Sequence, residues 1–268
     1  MKVGISTASL FLRKNNEQAL PLFEKFGVKN AEVFLTTYSE YGQEFANRLK
    51  ALQTNVQVNS VHVLNTQFEP QLFAAHPLVK KDAYFWLDKT LQSARVLGAP
   101  FYTFHGTARV KKASRSGKYD DFERMGKGFQ ELTAYCEKQG VVLALENVEW
   151  ATYNRVGVFS RLKQSVPTLK GVLDIKQARI SGEAYEKYLT EMGQDLVYVH
   201  ISDIDENGKM CLPMQGTFDF DCLVKRLQDV DFHGALIIEA YAGDYQREEE
   251  LQIAYENISE LLYKHGCI

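Results

Sequence analysis

Eight short apolar runs recur along this chain, and longer stretches with an apolar residue every three or four positions separate them. The runs are 2–7 (KVGIST), 31–35 (AEVFL), 57–63 (QVNSVHV), 100–105 (PFYTFH), 141–146 (VVLALE), 171–174 (GVLD), 196–201 (LVYVHI) and 235–239 (ALIIE). Their length and apolar content suit buried strands, and the clearest intervening stretch, LVKKDAYFWLDKTLQSARVLG, suits an amphipathic helix. Gly27, Gly98, Gly140 and Gly234 stand before the second, fourth, fifth and eighth runs, where glycines that end helices fall. Strand then helix, eight times in 268 residues, predicts an α/β chain folded as a parallel eight-stranded (β/α)8 barrel, a TIM barrel. The rival is a doubly wound open sheet, which usually needs fewer strands. Its dinucleotide-binding form carries G-x-G-x-x-G after the first strand, and GISTASLFL lacks it. No linker, low-complexity tract or shift of composition divides the chain, so a single domain over 1–268 is expected. The polar, basic segment 107–119 (TARVKKASRSGKY) reads as a long loop after the fourth strand.

Composition narrows the partners. Hydrophobic residues make up 45% and charged residues 24%, an ordinary balance for a chain with a substantial core. The net charge of −3 gives no global electrostatic case for a polyanion, so nucleic acid is not an expected partner. Cys136, Cys211, Cys222 and Cys267 show neither zinc-knuckle nor redox spacing and read as free thiols in a reducing compartment. MKVGISTASLFLRK has no uninterrupted apolar region and no cleavage site of a secretory signal. No run is long and apolar enough to span a bilayer. The expectation is a cytoplasmic protein without membrane contact.

The last four runs share an ending that apolar strands normally avoid. VVLALENVEW closes its strand on Glu146, GVLDIKQ on Asp174, VYVHISD on His200 and ALIIEAY on Glu239. In a parallel barrel the functional site lies at the C-terminal ends of the strands. Side chains alternate along a strand, so Val142, Ala144 and Glu146 share a face, as do Ala235, Ile237 and Glu239, with Tyr241 continuing it. The four polar groups are therefore expected at one rim. Three carboxylates and an imidazole held out of water cost several kcal/mol without compensation. A divalent cation would compensate, and an oxygen-rich set with one nitrogen suits manganese, magnesium or cobalt, with zinc also open. The alternative is a salt-bridge cluster through Lys176 or Arg179, or solvation at the rim. His62 and His105 end the third and fourth runs, as satisfied structural histidines, as substrate-binding groups or as ligands of a second metal.

At these residues the chain resembles the xylose isomerase-like TIM barrels, a superfamily of sugar and sugar-phosphate isomerases and epimerases that also includes inosose dehydratase and endonuclease IV. The resemblance spans essentially the whole chain and is carried by VHVLN, FHG, LENVEW, LDIKQARISG, VHISD and IIEAY in this order. It implies a divalent metal held by Glu146, Asp174, His200 and Glu239. It also implies a metal-dependent isomerase or epimerase of a small sugar, sugar phosphate or hydroxy-ketone, acting through an enediolate. In that chemistry Glu146 and Glu239 serve as the proton-transferring carboxylates. His62, His105 and Gln177 would bind substrate hydroxyls, Tyr241 would form an apolar wall, and Lys176 or the basic loop would meet a phosphate. Trp150 and Tyr153, just past Glu146, would help roof the site. In endonuclease IV the histidines ending strands three and four hold another zinc, which corresponds to His62 and His105. The chain departs from the pattern in two places. Gln177 stands where the family usually has a histidine three residues after the strand-six aspartate, and DENGKMCLPMQGTFDF after strand seven has no histidine. A three-zinc nuclease site is thus incomplete. A phosphoesterase, an inosose dehydratase-like lyase and a non-catalytic sugar-binding barrel stand as alternatives. The expected partner is a small carbohydrate, and assembly into a homo-oligomer is compatible with the sequence.

Overall fold

Consecutive residues of nearly every strand are buried, so both faces are covered, as in a sheet enclosed on both sides. The computed structural model describes residues 1–52, 55–64, 68–107 and 122–268. Its strands are β1 (Lys2–Ser6), β2 (Asn30–Leu35), β3 (Gln57–Val63), β4 (Phe101–Phe104), β5 (Val142–Glu146), β6 (Lys170–Asp174), β7 (Leu196–Ile201) and β8 (Ala235–Ile238). They close into a barrel in the order β1-β8-β7-β6-β5-β4-β3-β2, with every pair parallel. The expected (β/α)8 barrel is therefore the observed fold. Strand ends differ from the sequence reading by at most one residue. At the first, Thr7 leaves the strand because the Ser6 hydroxyl accepts from the Ala8 amide and starts a 3-10 turn. Except for Thr107, the basic segment read as a loop lies outside the described residues.

The helices are α1 (Asn16–Lys25), α2 (Gln43–Leu52), α3 (Pro77–Leu97), α4 (Phe122–Lys138), α5 (Val158–Lys163), α6 (Ile175–Ile180), α7 (Tyr185–Met192), α8 (Phe220–Asp229) and α9 (Glu249–Lys264). The sixth unit thus carries two short helices, and α6 starts directly at the strand end. Gly98 caps α3 in the left-handed region at φ 74°, as its position suggested. Gly234 does not end a helix. A Cβ there would stand 2.1 Å from the Val197 carbonyl oxygen, so close backbone approach requires that glycine. No helix among the described residues is long and apolar enough to cross a membrane. All four cysteines are free.

Alternation sorts each strand into two sets. Val61, Val63, Leu143, Leu145, Leu173, Val199, Ile201, Leu236 and Ile238 belong to the buried core that includes the helices. Complete burial of each such side chain is worth about 1.5–3 kcal/mol. The other set fills the barrel. Ala144, Val172, Tyr198, Ala235 and Ile237 form a separate buried cluster, with Phe101 against it. Two residues further along β5, β6, β7 and β8 stand Glu146, Asp174, His200 and Glu239. This buried cluster lies below them along the same four strands.

Candidate active site

The residue behind Glu146 explains why an apolar strand can end on a charge. The Asn147 side chain donates through Nδ2 to the Asp174 carbonyl at 2.9 Å, and its Oδ1 accepts from the Asp174 amide at 2.7 Å. One buried carboxamide thus satisfies both backbone groups of Asp174 and locks the end of β6 against β5. Asp174 in turn caps α6, its Oδ1 accepting from the Gln177 amide at 2.9 Å. On the other side, the register pairs Asp174 with His200 and His200 with Ile237, two residues before Glu239.

Glu146, Asp174, His200 and Glu239 are brought together: each offers a ligand atom within 4.8 Å of the others, and all are buried. His200 Nδ1 lies 2.7 Å from Glu146 Oε1 and 3.6 Å from Glu239 Oε2. His62 and His105 join the same cup. Their Nε2 atoms are 2.9 Å apart, and His105 Nε2 is 2.8 Å from Glu146 Oε2. Glu146 therefore faces His200 with one oxygen and His105 with the other.

Sequence reasoning missed Glu32, which lies fully buried one layer below the rim. Its carboxylate accepts from the hydroxyls of Ser6 at 3.0 Å, Ser60 at 2.8 Å and Thr103 at 2.7 Å. Its Oε1 is 3.3 Å from His62 Nδ1 and 3.1 Å from His200 Nε2. The His200 contact lacks hydrogen-bond alignment, so Nε2 is a buried nitrogen without a hydrogen-bond partner among the described residues. Glu32, His62, His200 and Glu239 form a second group of converging donors. The available signal was a glutamate inside AEVFL, whose neighbours are all apolar. Glu69, equally buried, was also missed. It accepts from the Tyr102 hydroxyl at 2.5 Å and the His105 amide at 3.1 Å, and so holds His105 from behind.

The charges respond to this crowding. Burial would push Glu32 up, but His200 and His62 outweigh it and hold the carboxyl well below its usual value. Glu146 is lowered in the same way, burial being overcome by His200 and His105. Burial pushes Asp174 up to about 6, with Lys176 opposing and Glu146 and Glu239 adding. Burial would lower His62, yet Glu32 and its neighbours raise it to about 9. His200 is also raised against burial, by Glu32, Glu239 and Glu146.

The remaining expected residues fall at different depths. Lys176 is buried, its Nζ 3.8 Å from Asp174 Oδ2, 3.6 Å from Glu239 Oε2 and 4.2 Å from the Tyr241 ring centroid. The ion-pairing role considered for it is thus present. Gln177 is buried, its Oε1 accepting from the Glu149 amide at 3.2 Å. Tyr241 and Trp150 are exposed at the mouth, the Trp150 ring 5.3 Å from that of His105. Tyr153 does not roof the site. It is fully buried between Phe159 and Tyr188, with its hydroxyl donating to Glu191 at 2.5 Å. The Asn147–Tyr153 bridge turns the chain back into the helical layer, which carries Tyr153 away from the mouth. Arg179 is exposed and not part of the charge cluster.

The donor set fits a divalent cation. Five buried carboxylates, Glu32, Glu69, Glu146, Asp174 and Glu239, stand around three imidazoles and a single ammonium. Without a cation, balance requires protonated histidines, which is why His62 and His200 are raised. A cation supplies that charge and accepts lone pairs from oxygen-rich donors with one nitrogen, a set suited to manganese, magnesium or cobalt.

Comparison with known proteins agrees with the architecture. A family model described as xylose isomerase-like TIM barrel matches residues 20–261. Among solved structures, the D-psicose 3-epimerase of Clostridium cellulolyticum H10, solved with D-tagatose, superposes with a TM-score of 0.77 at 18% identity, covering 98% of this chain and 99% of its own. The IolI protein with a bound zinc atom gives a TM-score of 0.78 at 18% identity over 98% and 99%. The 3-keto-D-glucoside 4-epimerase of E. coli gives 0.71 at 16% identity over 97% and 98%. No curated protein matches the chain in sequence.

Proposed function

We propose that this chain, which belongs to the xylose isomerase-like TIM barrel family, is a single-domain, metal-dependent epimerase or isomerase of a small sugar. The observation that carries this reading is the convergence of Glu146, Asp174, His200 and Glu239 within 4.8 Å at one closed rim. Epimerases among the similar folds, with D-psicose and a 3-keto-D-glucoside named as substrates, support the substrate class.

Glu146, Asp174, His200 and Glu239 would hold the cation, with manganese, magnesium or cobalt favoured and zinc supported by the IolI structure. When bound, the metal supplies positive charge beside the adjacent oxygens of the sugar, where negative charge develops. The chain's own residues do the rest. Glu146 and Glu239 take and return the carbon-bound proton through their carboxylate oxygens. His62 and His105 orient hydroxyls, and Lys176 balances charge at Asp174 and Glu239. Trp150 and Tyr241 limit water at the mouth, and Gln177 lines the strand-six side. The test is incubation with ketohexoses, ketopentoses and their phosphates in deuterated buffer with Mn²⁺ or Co²⁺. Incorporation of deuterium at the epimerised carbon is expected, and its absence with every sugar rejects the reading.

A second reading has one observation in its favour. His62, His105 and Glu146 form a further donor group, with Glu146 shared between it and the first. A two-metal phosphoesterase would use such a bridge. Gln177 and the histidine-free loop after β7 weigh against it. Binding of two metals per chain with hydrolysis of a phosphodiester would favour it over epimerisation.

A further inference from the structure

A cavity of about 310 Å³ opens beside the carboxylate cup, walled by α6, the turn after it and the loop after β7. Lys176 lines this cavity and also reaches the cup, 3.6 Å from Glu239 Oε2. Arg179 is exposed on the same wall, and its side chain has no ion pair or hydrogen bond among the described residues. Ser202 lines it too. That residue is 3% exposed, yet its hydroxyl has no partner among the described residues.

The carboxylates on the wall are already occupied. Asp203 Oδ1 accepts from the Ile204 amide at 2.7 Å and the Phe218 amide at 3.0 Å, and its Oδ2 from the Gly216 amide at 2.9 Å. Glu183 pairs with Lys187 at 2.8 Å. The unspent polar groups are therefore a guanidinium and a hydroxyl, both suited to an anion, beside an ammonium already paired with Asp174 and Glu239. The rest is apolar: the Tyr185 and Phe218 rings, 5.4 Å apart, with Ile204 and Met210. A carbon skeleton suits that lining. The planar fork of arginine matches a carboxylate or phosphate in two parallel hydrogen bonds.

We propose that this cavity binds the terminal phosphate or carboxylate of a sugar whose reacting end enters the carboxylate cup. The inference deepens the proposed function and rests on it only for the reacting end. The substrate class is then a sugar phosphate or sugar acid, with Arg179 and Ser202 as the groups that select it.

Titration of the full-length, metal-stripped protein with inorganic phosphate and with acetate, followed by calorimetry, tests the anion site without turnover. Saturable binding is expected. Arg179→Met should weaken it at least tenfold, about 1.4 kcal/mol. Ser202→Ala should weaken it severalfold. Arg179→Lys, which keeps the charge but loses the fork, should fall between wild type and Arg179→Met. Preference for phosphate identifies a phosphorylated substrate, and preference for acetate a sugar acid. The proposal is overturned if neither anion binds, or if Arg179→Met, shown folded by circular dichroism, binds like wild type. Turnover of neutral ketoses without anion binding removes this site and leaves the epimerase. Anion binding as expected without proton exchange on any sugar does the reverse.

Discussion

Replacing Asn147 by alanine tests how the end of β5 fixes the site. Asn147 is 1% exposed and makes two hydrogen bonds to the backbone of Asp174, at 2.9 and 2.7 Å. Asn147→Ala removes both and leaves a buried amide and a buried carbonyl without those partners. Each loss costs about 1–3 kcal/mol, so a total of about 3 kcal/mol is expected. For a chain of this size that corresponds to roughly 6–12 °C in Tm. Urea denaturation of the metal-free protein should show the midpoint moving down at unchanged slope, the sign of a stability change without a change in exposed surface. Asn147→Asp should be at least as damaging at pH 7, since a second acceptor would face the Asp174 carbonyl, and partly relieved near pH 5. Asp174 would also lose its anchor, so Mn²⁺ affinity should fall although Asn147 is not among the converging donors. A variant within about 0.5 kcal/mol of wild type, with unaltered Mn²⁺ binding, would refute the anchoring argument.

Glu239→Gln should leave the barrel folded by circular dichroism, weaken Mn²⁺ binding at least tenfold by calorimetry, and abolish proton exchange; near wild-type turnover on the true substrate rejects its role. The His62 value of about 9 sets a pH dependence for the metal-free protein. A group raised above its ordinary 6.5 stabilises fully below 6.5, and that stability is lost as pH rises through 9, at up to about 1.4 kcal/mol per unit. Tm should therefore fall between pH 6.5 and 9, and His62→Gln should flatten the slope; an unsloped wild-type profile contradicts this. Trp150→Ala should change stability by less than about 1 kcal/mol, because the side chain is exposed, while raising KM on the substrate that turns over. Tyr153→Phe should instead cost about 1–2 kcal/mol by losing its bond to Glu191 and leave KM unchanged; a raised KM would return it to the mouth.

The sequence by itself carried the strand count, the parallel barrel and the four strand-end groups. These are local facts: a run of apolar residues marks a strand, a glycine marks a helix end at Gly98, and a charge that closes an apolar run stands out against its neighbours. Glu32 was not legible in this way. A glutamate in AEVFL would face solvent in a half-covered sheet, and only closure of the barrel makes both faces of β2 interior and turns it towards Ser60, Thr103 and the histidines. Glu69 was hidden for a different reason, since it comes from a 3-10 turn outside the strand pattern and reaches His105 only in three dimensions. Tyr153 was misread because distance along the chain from Glu146 does not tell which way a bridge turns the loop. Lys176 lies two residues past Asp174 in sequence, yet its burial between Asp174, Glu239 and Tyr241 depends on β6, α6 and β8 meeting. Residue type and periodicity are short-range properties and survive in one dimension. Which charge neutralises which, and which groups lack a partner, depend on distances between distant strands, and only the closed barrel sets those.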